Sequence, residues 1–115
     1  MLNKKTFEVI FGDYGELVCP ACGGSYLHHE EVTVFNRPED DNQVVKTVVN
    51  GVGVVVKTHA PIDDNPSRRR DGLIIRFWCE GCSSRDQNPV KFFNLAIYQH
   101  KGVSYADWRI EETAR

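Results

Sequence analysis

Two Cys-x-x-Cys pairs, CPAC at 19–22 and CEGC at 79–82, hold all four cysteines of this 115-residue chain and stand 56 residues apart. No other feature constrains the fold as strongly. Two residues between cysteines let one tight turn aim both sulfurs at a common point, with backbone N–H groups directed at the thiolates. Two such knuckles supply four sulfurs, which closes a tetrahedral Zn2+ shell. Cys19, Cys22, Cys79 and Cys82 are therefore the candidate ligands of one structural zinc; redox or disulfide use and a rubredoxin-like iron are the alternatives. Gly24 follows the first pair, where a turn calls for positive φ, and Gly81 sits inside the second for a similar purpose. A gap of 56 residues is long for a simple ribbon and predicts extra strands inserted between the knuckles.

The length fits one small domain, residues 1–115, whose core is modest enough that a metal staple helps. With 41% hydrophobic and 26% charged residues, the chain reads as globular rather than disordered or fibrous. Its formal charge of −2 and pI near 6.1 disfavour a dedicated nonspecific nucleic-acid binder, while leaving room for a local basic patch. The opening MLNKKTFEVIFGDYG is broken by charge and glycine, so it reads as no signal-peptide core. No stretch approaches the roughly 18 apolar residues of a membrane span. The expected location is cytoplasmic, where cysteine pairs stay reduced and bind metal more often than they form disulfides.

Between the knuckles the residues favour strands. Residues 1–18 form a lead-in, with FEVIF (7–11) a short strand or helical turn and GDYG (12–15) a turn. A strand is expected from Tyr26 to Phe35, ended by the breakers of RPEDDN (37–42). Residues 43–58, QVVKTVVNGVGVVVKT, carry β-branched residues on both sides of Asn50-Gly51, a strong hairpin signal. This inserted hairpin has valines on both faces of its second arm, so a homodimer joined through it is expected to compete with packing inside the chain. HAPIDDNPSRRRDG (59–72) reads as a polar connection. In LIIRFWC, alternation puts Leu73, Ile75 and Phe77 on one face and Ile74, Arg76 and Trp78 on the other. SSRDQNP (83–89) reads as loop. VKFFNLAIYQH (90–100) reads as a strand turned by Lys101-Gly102 into VSYADW (103–108), with RIEETAR a helical turn or frayed tail. The fold class is mostly β: an antiparallel zinc ribbon with an inserted β-hairpin.

Taken together, CPAC followed by YLHH, then NPSRRRDG, IRFWCEGC, and QHKG followed by a tyrosine and a tryptophan, resemble a group of small zinc-ribbon proteins of bacteriophages, plasmids and bacterial genomes. The resemblance spans roughly residues 19–109 and is weakest over 38–62. It implies a four-cysteine zinc ribbon of unassigned function, with the four cysteines carried over and no activity attached.

Outside the cysteines the candidates are fewer. His28 and His29 point to opposite faces of a regular strand, so both cannot enter one small site. One of them, with His100 and an acidic neighbour, is the candidate second polar cluster, for a metal or for acid–base chemistry near neutrality. Arg68, Arg69 and Arg70 are the densest positive charge, either solvated beside Asp63, Asp64 and Asp71 or aimed at phosphate. Trp78 with Arg76 and Tyr98 is a candidate aromatic–basic platform for bases, whereas Trp108 and Tyr105 are expected to pack the last strand. Serine-nucleophile signatures, phosphate-binding glycine loops, HExxH and the zinc-deaminase pattern are absent. The sequence thus favours a non-enzymatic zinc module that binds a protein partner in phage or mobile-element biology. The rival is nucleic-acid binding through Arg68–Arg70, Arg76 and Trp78. An enzyme using His28 or His29 with His100 ranks third.

Overall fold

The structure is a computed structural model, and it describes residues 6–38, 41–85 and 92–111. One antiparallel sheet contains all seven strands of those residues: β1 (Thr6–Phe7), β2 (Leu27–Asn36), β3 (Val44–Val49), β4 (Val55–Ala60), β5 (Gly72–Cys79), β6 (Phe92–His100) and β7 (Val103–Glu111). Their spatial order is β1-β7-β6-β5-β2-β3-β4. A short helix, α1 (Glu80–Arg85), follows β5 directly. The mostly β, antiparallel expectation therefore holds.

The two hairpins show how turn chemistry sets register. Lys101 and Gly102 both have positive φ, 52° and 79°, so β6 and β7 are joined by a two-residue turn of the primed kind whose twist matches the strands. Asn50-Gly51 behaves differently. The connection from β3 to β4 is five residues long, and Gly53, not Gly51, takes the positive φ of 87°. Asn50 explains this: its Oδ1 accepts from the N–H groups of Val52 and Val54, both at 3.0 Å, while its N–H donates to the Val54 carbonyl at 3.1 Å. The side chain thus stands in for a backbone turn. The second arm also runs further than residue 58, through His59 to Ala60.

Other expected boundaries shift. Of the described part of the lead-in, only Thr6 and Phe7 form a strand, paired with Arg109 and Trp108. The last strand extends beyond Trp108 to Glu111 in place of a helical tail, because Arg109 and Ile110 continue the ladder with Asn94 and Phe93. Residues 83–85 belong to α1 rather than a loop, and the remainder of that expected loop lies outside the described residues.

The β5 alternation holds, and the neighbouring strands extend it. Phe77, Phe93, Leu95 and Trp108 meet on one face, where Trp108 and Phe93 have no exposed surface. The Trp108 ring meets Phe77 edge-on at 5.5 Å. Val9, Leu17 and Cys19 from the N-terminal segment pack into the same cluster. Tyr105 does not share in this packing: alternation puts it on the opposite face, 46% exposed. A bulge between His29 and Glu31 also re-phases β2, so that His28 shares its face with Thr33 and Phe35.

The other face is closed at one end by residues 61–71, which begin with a 3-10 turn at Ile62–Asp64. The sequence reads as a solvated connection here, yet Asn65 and Ser67 are buried. Asn65 Oδ1 accepts from Ser67 N–H at 3.0 Å and its Nδ2 donates to the Arg70 carbonyl at 2.8 Å. Ser67 Oγ donates to the Gln99 carbonyl at 2.7 Å and accepts from Arg70 N–H at 3.0 Å. Arg37 is also buried; its guanidinium donates to the carbonyls of Asp41 and Arg68, both at 2.6 Å, and its N–H donates to Asp71 Oδ1 at 2.8 Å. The loop is therefore a hydrogen-bonded plug resting on Gly72. A Cβ at Gly72 would overlap Asn65 Oδ1 and stand 2.7 Å from Pro66 Cγ. Gly72→Ala should destabilise the fold by about 1–3 kcal/mol, the usual cost of overpacking. Urea melts should show a lower midpoint with an unchanged slope.

Candidate metal centre

Cys19 and Cys22 are placed by a loop, and Cys79 and Cys82 by the junction of β5 with α1. Cys79 is the last residue of β5 and Cys82 lies in the first turn of α1. Leu27 opposite Cys79 in the β2–β5 ladder, with Glu80 N–H donating to the Tyr26 carbonyl at 3.0 Å, holds the two knuckles together. The first loop closes on itself: Cys19 N–H donates to the Gly24 carbonyl at 2.8 Å and Gly23 N–H to the Cys19 carbonyl at 3.0 Å. Gly23 carries the positive φ of 78° that the spacing assigns to Gly24. This leaves Gly24 N–H aimed at Cys22 Sγ, 3.4 Å away, just as Ala21 N–H points at Cys19 Sγ at 3.4 Å. Gly81 serves a helix and not a turn.

The four sulfurs all lie within 4.8 Å of one another. Across the knuckles, Cys19 and Cys82 are 3.8 Å apart and Cys22 and Cys79 are 3.5 Å apart. A disulfide needs about 2.05 Å, so these contacts are not bonds between sulfurs. A tetrahedral ion with metal–sulfur distances of about 2.3 Å requires sulfur separations of about 3.8 Å. The donor set therefore fits a thiophilic cation held by four thiolates. The N–H bond from Gly24 draws the Cys22 thiol down to about 7. Burial pushes the Cys19 and Cys82 thiols up. A bound cation takes the place of those protons.

The remaining candidates disperse. His28 stacks on Trp78 across the β2–β5 ladder, ring centroids 4.4 Å apart and planes 16° from parallel. Its Nε2 lies 3.6 Å from Glu80 Oε2. His29 is opposite Phe77, on the metal-side face. His100 shares the face of His28 but ends β6, eight residues beyond the Phe92 that pairs with Trp78. At about 3.3 Å per residue that is roughly 26 Å along the strand, so the structure does not gather these three histidines into one cluster. His59 is exposed on β4.

Arg76 and Trp78 point from the face opposite the sulfur cluster, as alternation requires, with the Arg76 guanidinium 3.6 Å from the Phe92 ring centroid. Arg68, Arg69 and Arg70 are exposed on the plug at the far end of that face, so the two parts of the expected basic surface lie at opposite ends of β5. Sequence reasoning missed the plug itself, although Asn65-Pro66-Ser67 has the composition of a side-chain-closed turn. It also missed Phe92, Asn94 and Arg109, which alternation in their own strands would have brought to the Trp78 face. No family model, curated protein or solved structure matches this chain. With both histidines outside the sulfur cluster, His28→Ala with His29→Ala should leave metal content per chain unchanged in elemental analysis.

Proposed function

We propose that this chain is a non-enzymatic binding module whose fold is stapled by one structural Zn2+ on Cys19, Cys22, Cys79 and Cys82, in the manner of a zinc ribbon with an inserted hairpin. The carrying observation is the set of cross-knuckle sulfur distances, 3.5 and 3.8 Å, which match the edges of a zinc–thiolate tetrahedron. Four thiolates complete the shell and leave no coordination position for substrate or water, so the metal organises structure instead of activating a nucleophile. No helix among the described residues is long and apolar enough to cross a membrane. A reducing, cytoplasmic setting suits the four free thiols. The resemblance to phage and plasmid zinc ribbons supports a role in mobile-element biology.

The purified chain should carry about one zinc. Chelation should unfold the end of β5 together with the N-terminal segment, since structural zinc supplies folding free energy outright. Cys79→Ser should lose the metal and several kcal/mol of stability. Metal affinity should rise with pH, because binding displaces protons from thiols that burial holds protonated. A chain that keeps a cooperative melt after complete chelation overturns the structural role.

A protein partner is supported by β4. Among the described residues it is an edge strand, paired on one side only; its Val55 and Val56 are 60% and 51% exposed, and Val54 just before it is 52% exposed. Long apolar edges invite another strand. A second copy is well suited. Antiparallel pairing of β4 with its symmetry mate can set Val56 against Val56 and Lys57 against Val55, avoiding a Lys57–Lys57 contact. Sedimentation at tens of micromolar should show a dimer that Val56→Lys dissociates; a monomer unaffected by that change removes this interface.

A further inference from the structure

We infer that the sheet face opposite the metal, from the arginine plug to Trp78, binds single-stranded nucleic acid; this rests on the reading of the chain as a binding module. The face consists of alternate residues of β5, β6 and β7. Among the described residues, no helix or strand is laid across it. Its aromatic rings form two stations along the strands. At one end Trp78 carries His28 on its plane, 4.4 Å between centroids. Beside Trp78, its partner in the β5–β6 ladder, Phe92 lies under the Arg76 guanidinium. Towards the plug, Tyr98 and Tyr105 stack at 5.9 Å, with the Arg109 guanidinium 5.3 Å from the Tyr98 ring centroid.

An apolar core would not keep arginines among its rings, and a solvated sheet face would not collect so many aromatics. Flat rings interleaved with guanidinium groups suit unpaired bases, which stack on π-faces without regard to sequence. The stations are also held in place. Asp107 accepts from the Tyr98 hydroxyl at 2.9 Å and from Arg109 Nε at 2.9 Å. Burial, and then the Asp107 carboxylate, push the Tyr98 hydroxyl above its usual range.

The stations themselves carry no excess of positive charge: the carboxylates of Asp107, Glu31 and Glu80 accompany the guanidinium groups of Arg76 and Arg109. Attraction for phosphate must come from the end of the face. There the plug presents the exposed side chains of Arg68, Arg69 and Arg70 on a backbone already fixed by Asn65, Ser67 and Arg37. Ser67 joins this loop to Gln99, next to His100 and Lys101. Gly72, under the plug, pairs with Tyr98, so the basic end runs directly into the stacking stations. From Phe92 to His100 the track is roughly 26 Å long, room for about four nucleotides, the lower end of site sizes on comparable sheets.

The test uses the zinc-loaded full chain with oligo-dT and oligo-U 12-mers, followed by fluorescence anisotropy and by tryptophan emission. Trp108 is fully buried, so quenching reports on Trp78. Dissociation constants of about 1–100 μM that weaken with added salt are expected, with quenching that Trp78→Phe abolishes. Tyr105→Ala should weaken binding about tenfold, as loss of one stacking partner does. Arg68→Glu should weaken it further and reduce the salt dependence. Both side chains are exposed, and unchanged melting temperatures will show that the fold is kept. Preference for oligo-U over oligo-dT would assign RNA, and the reverse DNA. Three outcomes overturn the proposal: no binding at low salt, binding that Tyr105→Ala and Trp78→Phe leave untouched, or self-association through this face that Tyr105→Ala dissociates. If binding fails while the zinc and the cooperative melt persist, the stapled-module reading stands and only the ligand is wrong.

Discussion

The convergence of Cys19 and Cys22 with Cys79 and Cys82 is the contact on which the rest of this fold depends. A single sheet of short strands buries little unless something lies on its faces. Here the N-terminal segment provides that cover on one side, delivering Val9, Leu17 and Cys19 onto Phe77, Phe93, Leu95 and Trp108. Its own strand contributes only two residues to the sheet, too few to hold it. The tie at the sulfurs is what fixes the segment, and the largest buried side chains sit beside that tie. The four sulfurs converge at the point where this cover meets the sheet.

Strand β5 joins two unlike fastenings. At its C-terminal end Cys79 enters the thiolate cluster; at its N-terminal end Gly72 accepts the 61–71 plug on the opposite face. The plug relies on hydrogen bonds where the metal end relies on sulfur. A buried arginine satisfied by two carbonyls and capped by Asp71 is costly to form and more costly to break, because truncating any partner leaves polar groups without water. Such a loop is well ordered for its length, which gives the three exposed arginines fixed positions.

Much of this was legible in the sequence because it follows from short-range rules. The strands alternate with period two, so the faces of β5 and β6 could be read from LIIRFWC and FFNLAIYQH. The spacing of the cysteines was enough to bring four sulfurs together. Legibility failed where a side chain replaces a backbone partner. Asn50 widens the hairpin by accepting two N–H groups, and Asn65 with Ser67 turns an apparent linker into a buried plug; neither effect leaves a hydrophobic pattern. The bulge after His29 is similar, since one extra residue exchanges the faces of all that follows in β2. The meeting of His28 or His29 with His100 was open to sequence reasoning only because His100 ends a strand, and the antiparallel ladder separates them along β6.

Net charge misleads for a protein built this way. A formal charge of −2 describes the whole surface, yet with a Debye length of about 8 Å at physiological ionic strength, charges at one end of β5 scarcely influence the other. The arginine plug and the sulfur cluster are separated by the length of that strand, and the intervening face has no excess of positive charge because Asp107 balances Arg109 and Glu31 lies opposite Arg76. A polyanion approaching the plug therefore meets local positive charge, and beyond it a surface that neither attracts nor repels phosphate strongly. Among the described residues that face offers aromatic rings, whereas the edge of β4 offers a strand paired on one side only and exposed valines. The sheet thus joins two chemically distinct surfaces, a ring-lined face and a valine-rich edge, to one end where four cysteine sulfurs converge.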